Sequence, residues 1–386
     1  MLKSVNLIKV HKQGGHIMKK LFTTIAVTVA LGLTACGSGN EGGAETPTVE
    51  TASIGMLTDT GGINDRSFNQ GTWAGIQRFE TDHGTITSNH LSPDTMAVAD
   101  LVTTAESLIV SGHELIIMPG FVFEEAISIL QEKHPETKFI ILDGEPENHI
   151  EENTLAIYFA EEQAGFMAGV AAALESETSK VGFIGGAEIP PVERFGWGFV
   201  AGVAYANETF DLDVEVVDFV YQGSFNDVQA GTALAGGMYD KGIDVIFVAA
   251  GAVGTGVVDE AKTRATAEER VFVIGVDSDQ FEDGMMANGE SVILTSAVKR
   301  VDNAAYEYIQ KFLDGEFKGG EVVVEDATTN AVGLPDENPN LSDETQLKTN
   351  QVFEEIKAGD IVVPNNADDL REFLEEVEFD FTNISF

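Results

Sequence analysis

The chain has 386 residues, 43% of them hydrophobic, and carries 22 lysines and arginines against 64 acidic residues, a formal charge of −42. The length favours two cores over one, and the charge opposes binding to nucleic acid, to anionic membrane surfaces and to phosphorylated ligands. Because the acids are spread along a chain of ordinary hydrophobicity, they argue against disorder and read as a solvated surface suited to salty or alkaline surroundings.

In chain order, the first element is a leader. Met18-Lys19-Lys20 gives a positive start, Leu21 to Leu33 an apolar core too short to span a membrane stably, and Leu33-Thr34-Ala35-Cys36 a cleavage site. Residues 1–35 therefore read as a signal peptide, with the true start open between Met1 and Met18. Five of the 22 basic residues fall within it, so 17 face all 64 acids in the rest. Cys36 is the only cysteine, which excludes an intramolecular disulfide and a cysteine cluster for metal. L-T-A-C resembles the bacterial lipobox, which implies lipidation of Cys36; a buried core cysteine is the alternative. Residues 36–50, rich in Gly, Glu, Ser and Thr, read as a flexible spacer, and the globule begins near Thr51.

From Ala52 onward strand-like and helix-like runs alternate, as a βαβ series demands. The first strand, Ala52 to Thr58, leads into Asp59-Thr60-Gly61-Gly62-Ile63-Asn64-Asp65-Arg66-Ser67-Phe68-Asn69-Gln70, and Trp73, Ile76 and Phe79 then recur at helical spacing. Asn64, Asp65 or Ser67 can cap that helix. Further strands are predicted at 85–88, 114–118, 138–142, 154–158, 180–184, 214–220, 245–249, 271–276 and 291–295. Helices are predicted at 94–111, 123–133, 164–174, 192–206, 226–239, 257–265, 298–313, 344–358 and 367–377. Two lobes of five or six strands match usual domain sizes better than one large sheet. No hydrophobic segment after residue 35 is long enough to cross a membrane.

Ligands of open α/β sheets bind at the carboxyl ends of the strands, so polar residues there are the candidates. Asp59 can hydrogen-bond a ligand and Phe68 can stack on it; the alternatives are a turn cap and a core ring. Asp277 ends the apolar run Val273-Ile274-Gly275-Val276 and can accept two hydroxyl donors, as a sugar diol requires; it reads alternatively as a cap, or with Asp279 as a metal or acid/base site. Gly251-Ala252-Val253-Gly254-Thr255-Gly256 follows a strand and opens a helix, which invites a dinucleotide reading, yet Asp259 stands where the third glycine of that fingerprint belongs. The histidines at 83, 90, 113, 134 and 149 make no metal-ligand spacing, and neither a P-loop nor a G-x-S-x-G turn is present.

Asp59-x-Gly61-Gly62-Ile63-Asn64-Asp65-x-Ser67-Phe68-Asn69, Gly182-Phe183-Ile184-Gly185-Gly186, Val276-Asp277-Ser278-Asp279-Gln280, Ser296-Ala297-Val298-Lys299 and Ile356-Lys357-Ala358-Gly359 with Val363-Pro364 occur in this order. Together they resemble the basic membrane protein family, lipoprotein substrate-binding components of ABC importers similar to purine nucleoside receptors. The resemblance implies an α/β type I periplasmic-binding-protein fold, two doubly wound lobes joined by a three-strand hinge. Lobe one would comprise 51–158 plus 296–325, and lobe two 159–295 plus 326–386.

It also implies a nucleoside pocket without catalytic residues or a cofactor. Asp59 would bond the base edge, Phe68 and Phe195 would stack on its two faces, Asp277 and Lys299 would hold the ribose hydroxyls, and Gly251 would approach the ribose with its backbone. Trp197 and Phe199 are alternatives to Phe195. Glu125 stands where the family often has aspartate, which leaves base preference open. Lys299 is expected on a helix start. The implied partners are an ABC permease with its ATPase, and the membrane through a lipid anchor; a monomer is expected. A nucleoside-sensing lipoprotein, a nucleotide-dependent dehydrogenase and a nucleoside-cleaving enzyme are the competing readings.

Overall fold

The computed structural model describes residues 51–59, 62–266 and 270–384. The leader, Cys36 and the spacer lie outside them. Among the described residues no helix is long and apolar enough to cross a membrane.

Two six-stranded sheets organise the globule. The first contains β1 (Ala52–Leu57), β2 (Ile86–Leu91), β3 (Leu115–Pro119), β4 (Lys138–Leu142), β5 (Thr154–Phe159) and, from late in the chain, β11 (Glu321–Glu325), in the order β11-β5-β4-β3-β1-β2. The second contains β6 (Lys180–Gly185), β7 (Glu215–Tyr221), β8 (Val245–Ala249), β9 (Phe272–Asp277), β10 (Ile293–Lys299) and β12 (Val332–Gly333), in the order β12-β10-β9-β8-β6-β7. Every pairing is parallel except β12 against β10. Strands β3, β8 and β10 are buried at every position; the unbroken apolar runs of β3 and β8 suit a strand covered by helices on both faces, whereas β10 also buries Thr295, Ser296 and Lys299.

Helices α1 (Phe68–His83), α2 (Val98–Val110) and α3 (Glu124–Lys133) connect the strands of the first sheet. Helices α4 (Glu161–Glu175), α5 (Pro190–Phe210), α6 (Val228–Asp240) and α7 (Ala252–Arg264) serve the second. After β10 the chain returns through α8 (Val301–Leu313), which packs on α1, and it ends with α9 (Asp343–Ala358) and α10 (Ala367–Glu376) against α4 and α5. Glycines let α4 and α5 lie backbone to backbone: a Cβ on Gly198 would run into the Glu162 carbonyl, and one on Gly165 into that of Phe195. This contact sets the second turn of α5, with Arg194 and Phe195, beside the first turn of α4, with Glu161.

The chain passes between the lobes at Ala160, Arg300 and Asp326. Ala160 (φ −85°, ψ 67°) and Arg300 (φ −78°, ψ 61°) share the inverse γ-turn conformation common at strand ends. The second crossing falls at Arg300 rather than between 295 and 296, because β10 keeps its register with β9 through Val298 opposite Asp277. Lys299 consequently ends a strand; it does not start a helix. That ending is possible because the carboxylates of Asp143 and Glu161 neutralise its charge.

Candidate functional site

The carboxyl ends of both sheets border one cavity of about 210 Å³. Asp59 follows β1, Asp143 follows β4, Gly251 follows β8, and Asp277 and Lys299 end β9 and β10. Six of the residues expected from sequence line it together: Asp59, Phe68, Phe195, Gly251, Asp277 and Lys299.

Glu125 is the exception: it is exposed on the first turn of α3 and is absent from the lining. A 3-10 turn at Phe121–Phe123 intervenes after β3, so Phe121 and Val122 reach the cavity and the carboxylate is carried to solvent. Trp197 and Phe199 are likewise outside the lining; Phe199 is wholly buried beside Phe247, at 5.5 Å between ring centroids.

Around the β1–α1 loop, the carboxylate of Asp65 caps α1 by accepting from the amides of Ser67, Asn69 and Gln70 at 3.0, 2.8 and 2.9 Å. Asn69 Nδ2 donates to Asp65 and also to Asp59 Oδ1 at 2.9 Å, which aims Asp59 at the cavity instead of at a helix amide. Gly62 takes φ +63°. In the other lobe Gly251 adopts φ 55°, ψ −130°, a conformation that glycine reaches without a Cβ penalty. Asp277 holds φ +64°, an unusual value that aspartate tolerates better than most residues, and Ser67 Oγ donates to its Oδ2 across the cleft. Asp279 accepts from the Phe281 amide at 3.0 Å and caps the following turn.

Lys299 is the hub. It is 3% exposed, donates to Asp143 Oδ2, and lies 3.3 Å from Glu161 Oε1 and 3.9 Å from Asp277 Oδ1. Its Nζ sits 4.5 Å from the ring centroid of Phe68 and 5.5 Å from that of Phe195, within cation–π range of both. Arg194 extends the chain of charges, with Nε 2.6 Å from Glu161 Oε2. Burial alone would lower the Lys299 pKa, but Asp143, Glu161 and Asp277 outweigh it and raise the value. Burial pushes the carboxyls of Glu161 and Asp277 up, with Lys299 pulling each the other way. The ammonium is therefore held charged, and the oxygens around it keep acceptor capacity for hydroxyls.

Sequence reasoning missed Asp143, Glu161 and Arg194. Asp143 carries a legible signal, since it follows a buried strand as Asp59 and Asp277 do. Glu161 and Arg194 carry none, because an acid at the start of a helix normally serves the helix dipole in solvent. Among the described residues no cluster of His, Cys, Asp and Glu is arranged to hold a metal ion.

The "CD4+ T-cell-stimulating antigen" of Listeria innocua is 34% identical over 352 residues, covering 88% of this chain and 96% of that protein. The "ABC transporter nucleoside-binding protein BmpA" of Lactococcus lactis subsp. cremoris is 31% identical over 360 residues, covering 89% and 97%. A crystal structure of ABC transporter system solute-binding proteins from Aeropyrum pernix K1 matches with a TM-score of 0.72 at 25% identity, covering 85% of this chain and 97% of that one. Its likeness accords with the type I periplasmic-binding-protein fold of two α/β lobes joined by three crossings. A family model described as "ABC transporter substrate-binding protein PnrA-like" matches residues 52–367, and with the two sheets converging on one cavity the chain belongs to that family of ABC transporter substrate-binding proteins, the Bmp family.

Proposed function

We propose that the protein captures nucleosides, purines in particular, and delivers them to an ABC permease and its ATPase. The observation that carries this reading is the buried Lys299–Asp277 pair, 3.9 Å apart, set between Phe68 and Phe195 in one cavity. A vicinal diol donates two hydroxyl protons to a carboxylate and accepts from an ammonium, so a ribose is the natural complement of that pair. The aromatic rings supply faces for a base and Asp59 an acceptor for its N–H edge. Gly251 admits the sugar close to the backbone. The printed name of the Lactococcus relative, a nucleoside-binding protein, supports the same ligand class.

Capture proceeds by hinge closure. Asp59 and Phe68 belong to the lobe of the first sheet, Phe195, Gly251 and Asp277 to that of the second, so a ligand touching both stabilises the closed form. Export by residues 1–35 and lipidation of Cys36 place the protein on the outer face of the cell membrane as a monomer, with residues 36–50 as the tether. No covalent step is assigned to it.

Calorimetric titration of the purified protein in high-salt buffer with adenosine, guanosine, inosine, uridine, ribose and AMP tests the reading. One-to-one heat with purine nucleosides and little with ribose or AMP is expected. Silence across the nucleosides, or steady heat with product formation, overturns it.

A further inference from the structure

Behind the cleft cavity, where the chain crosses between lobes at Ala160, lies a second cavity of about 520 Å³ walled by Phe121, Tyr158, Phe159, Pro190 and Val324. Its charged lining is Asp143, Glu162, Arg194 and Glu124. Three buried atoms among these make no hydrogen bond: Asp143 Oδ1, Glu162 Oε2 and Arg194 Nη2. Asp143 and Glu162 are each only 6% exposed. Native proteins rarely leave such atoms unsatisfied, and the remaining partners are already committed. Asp143 Oδ2 receives Lys299, and Arg194 Nε is bound to Glu161.

The unpaired set is two carboxylate oxygens, which need N–H or O–H donors, and one guanidinium N–H, which needs an acceptor. A lone cation satisfies the oxygens but faces Arg194; a lone anion satisfies Arg194 but faces three carboxyl groups. A molecule bearing both charges satisfies all three. We propose that the hinge cavity is a second binding site, for a small zwitterion with a primary ammonium and a carboxylate, of the size of an amino acid. The ammonium donates to Asp143 Oδ1 and Glu162 Oε2, the carboxylate accepts from Arg194 Nη2, and Phe121, Tyr158 and Phe159 enclose the carbon chain. Charge-assisted bonds at both ends give the site its strength, and the demand for N–H donors excludes quaternary ammonium compounds. This site stands apart from the nucleoside reading, although Asp143, Phe121 and Pro191 border both cavities.

The test is calorimetric titration of the purified protein with glycine, L-alanine and 4-aminobutyrate, against acetate, methylammonium and glycine betaine as controls. It is run on wild type, Glu162→Gln and Val324→Trp, with and without saturating adenosine. Saturable one-to-one binding of at least one amino acid is expected, with each control and each variant weaker by roughly tenfold or more, the loss of one charged hydrogen bond. Adenosine affinity of the two variants should stay at the wild-type value, and adenosine should not displace the amino acid. The proposal is overturned by no binding of any amino acid up to about 10 mM, by equal binding of glycine betaine or methylammonium, by full affinity in both variants, or by displacement with adenosine. Failure of adenosine to bind would count against the nucleoside reading alone, and the amino-acid titrations would still decide this one.

Discussion

Arg66 Nη1 lies 2.9 Å from Asp283 Oδ1, an ion pair that ties the β1–α1 loop of one lobe to the turn after β9 in the other. Gln280 Nε2 donates to the Arg66 carbonyl at 3.0 Å, and Ser67 Oγ reaches Asp277 beside it. These bonds join residues of one lobe directly to residues of the other. On the proposed hinge closure these bonds form as the lobes come together, so they should act on how long a ligand stays more than on how fast it arrives.

Arg66→Gln removes the ion pair and keeps a side chain at the same φ of +56°. Because the two side chains are 55% and 35% exposed, the pair contributes at most about 1 kcal/mol. Nucleoside dissociation followed by stopped-flow should quicken by about two- to fivefold in low salt. In about 1 M salt, where the screening length falls to about 3 Å, variant and wild type should converge. A difference that persists unchanged in high salt rejects the electrostatic latch.

Asp277→Asn separates charge from shape. Asparagine tolerates the left-handed backbone at this position and can still accept from Ser67, so folding should persist. Nucleoside affinity should fall by about ten- to a hundredfold, the cost of a hydrogen bond to a charged acceptor, about 1.5–3 kcal/mol. Calorimetry with adenosine reads it directly. Unchanged affinity would remove Asp277 from the ribose assignment.

Lys299→Met probes the hub through stability. It strands Asp143, Glu161 and Asp277 in a buried site with one cation gone, a loss of about 3–5 kcal/mol for a broken buried pair. The deficit should be largest near pH 8 and smaller near pH 5, since burial already pushes Glu161 and Asp277 toward the neutral form. Urea unfolding at the two pH values measures it, and a deficit independent of pH would mean that packing of the lysine stem, not its charge, is what matters.

The cavity was legible in the sequence wherever an apolar run ended in a polar residue. Asp59 and Asp277 were found by that rule, and Asp143 obeys it equally after Phe139-Ile140-Ile141-Leu142. Glu125 falls outside the cavity lining because of the 3-10 turn at Phe121–Phe123, which sequence spacing does not register. Lys299 reads as a helix start in the sequence, where a charge is ordinarily solvated; its neutralising partners, Asp143 and Glu161, lie 156 and 138 residues away. Local periodicity gives elements and their ends. It is blind to ion pairs between residues far apart in sequence, which is why the Lys299–Glu161–Arg194 chain and the hinge cavity emerge only from the folded structure.

Glu162 offers the sharpest pH experiment. Burial pushes its carboxyl up to about 7 against an ordinary 4.5, with a backbone hydrogen bond and Arg194 pulling down and Asp326 pushing up. Between those two values the folded protein holds a proton that the unfolded chain releases. This group's contribution to stability is therefore complete below about pH 4.5 and is lost as the pH rises to about 7, a swing of about 3 kcal/mol. Glu162→Gln keeps the shape and removes the titration. The variant should match wild type near pH 4.5 and exceed it by about 2–3 kcal/mol at pH 8, because a neutral amide avoids burying an uncompensated carboxylate. Denaturant unfolding across pH 4.5 to 8, with no amino acid or nucleoside in the buffer, gives the difference curve. A flat curve would show that Glu162 is solvated enough to ionise freely, and would take away the buried, unsatisfied carboxyl from which the hinge-cavity site is argued.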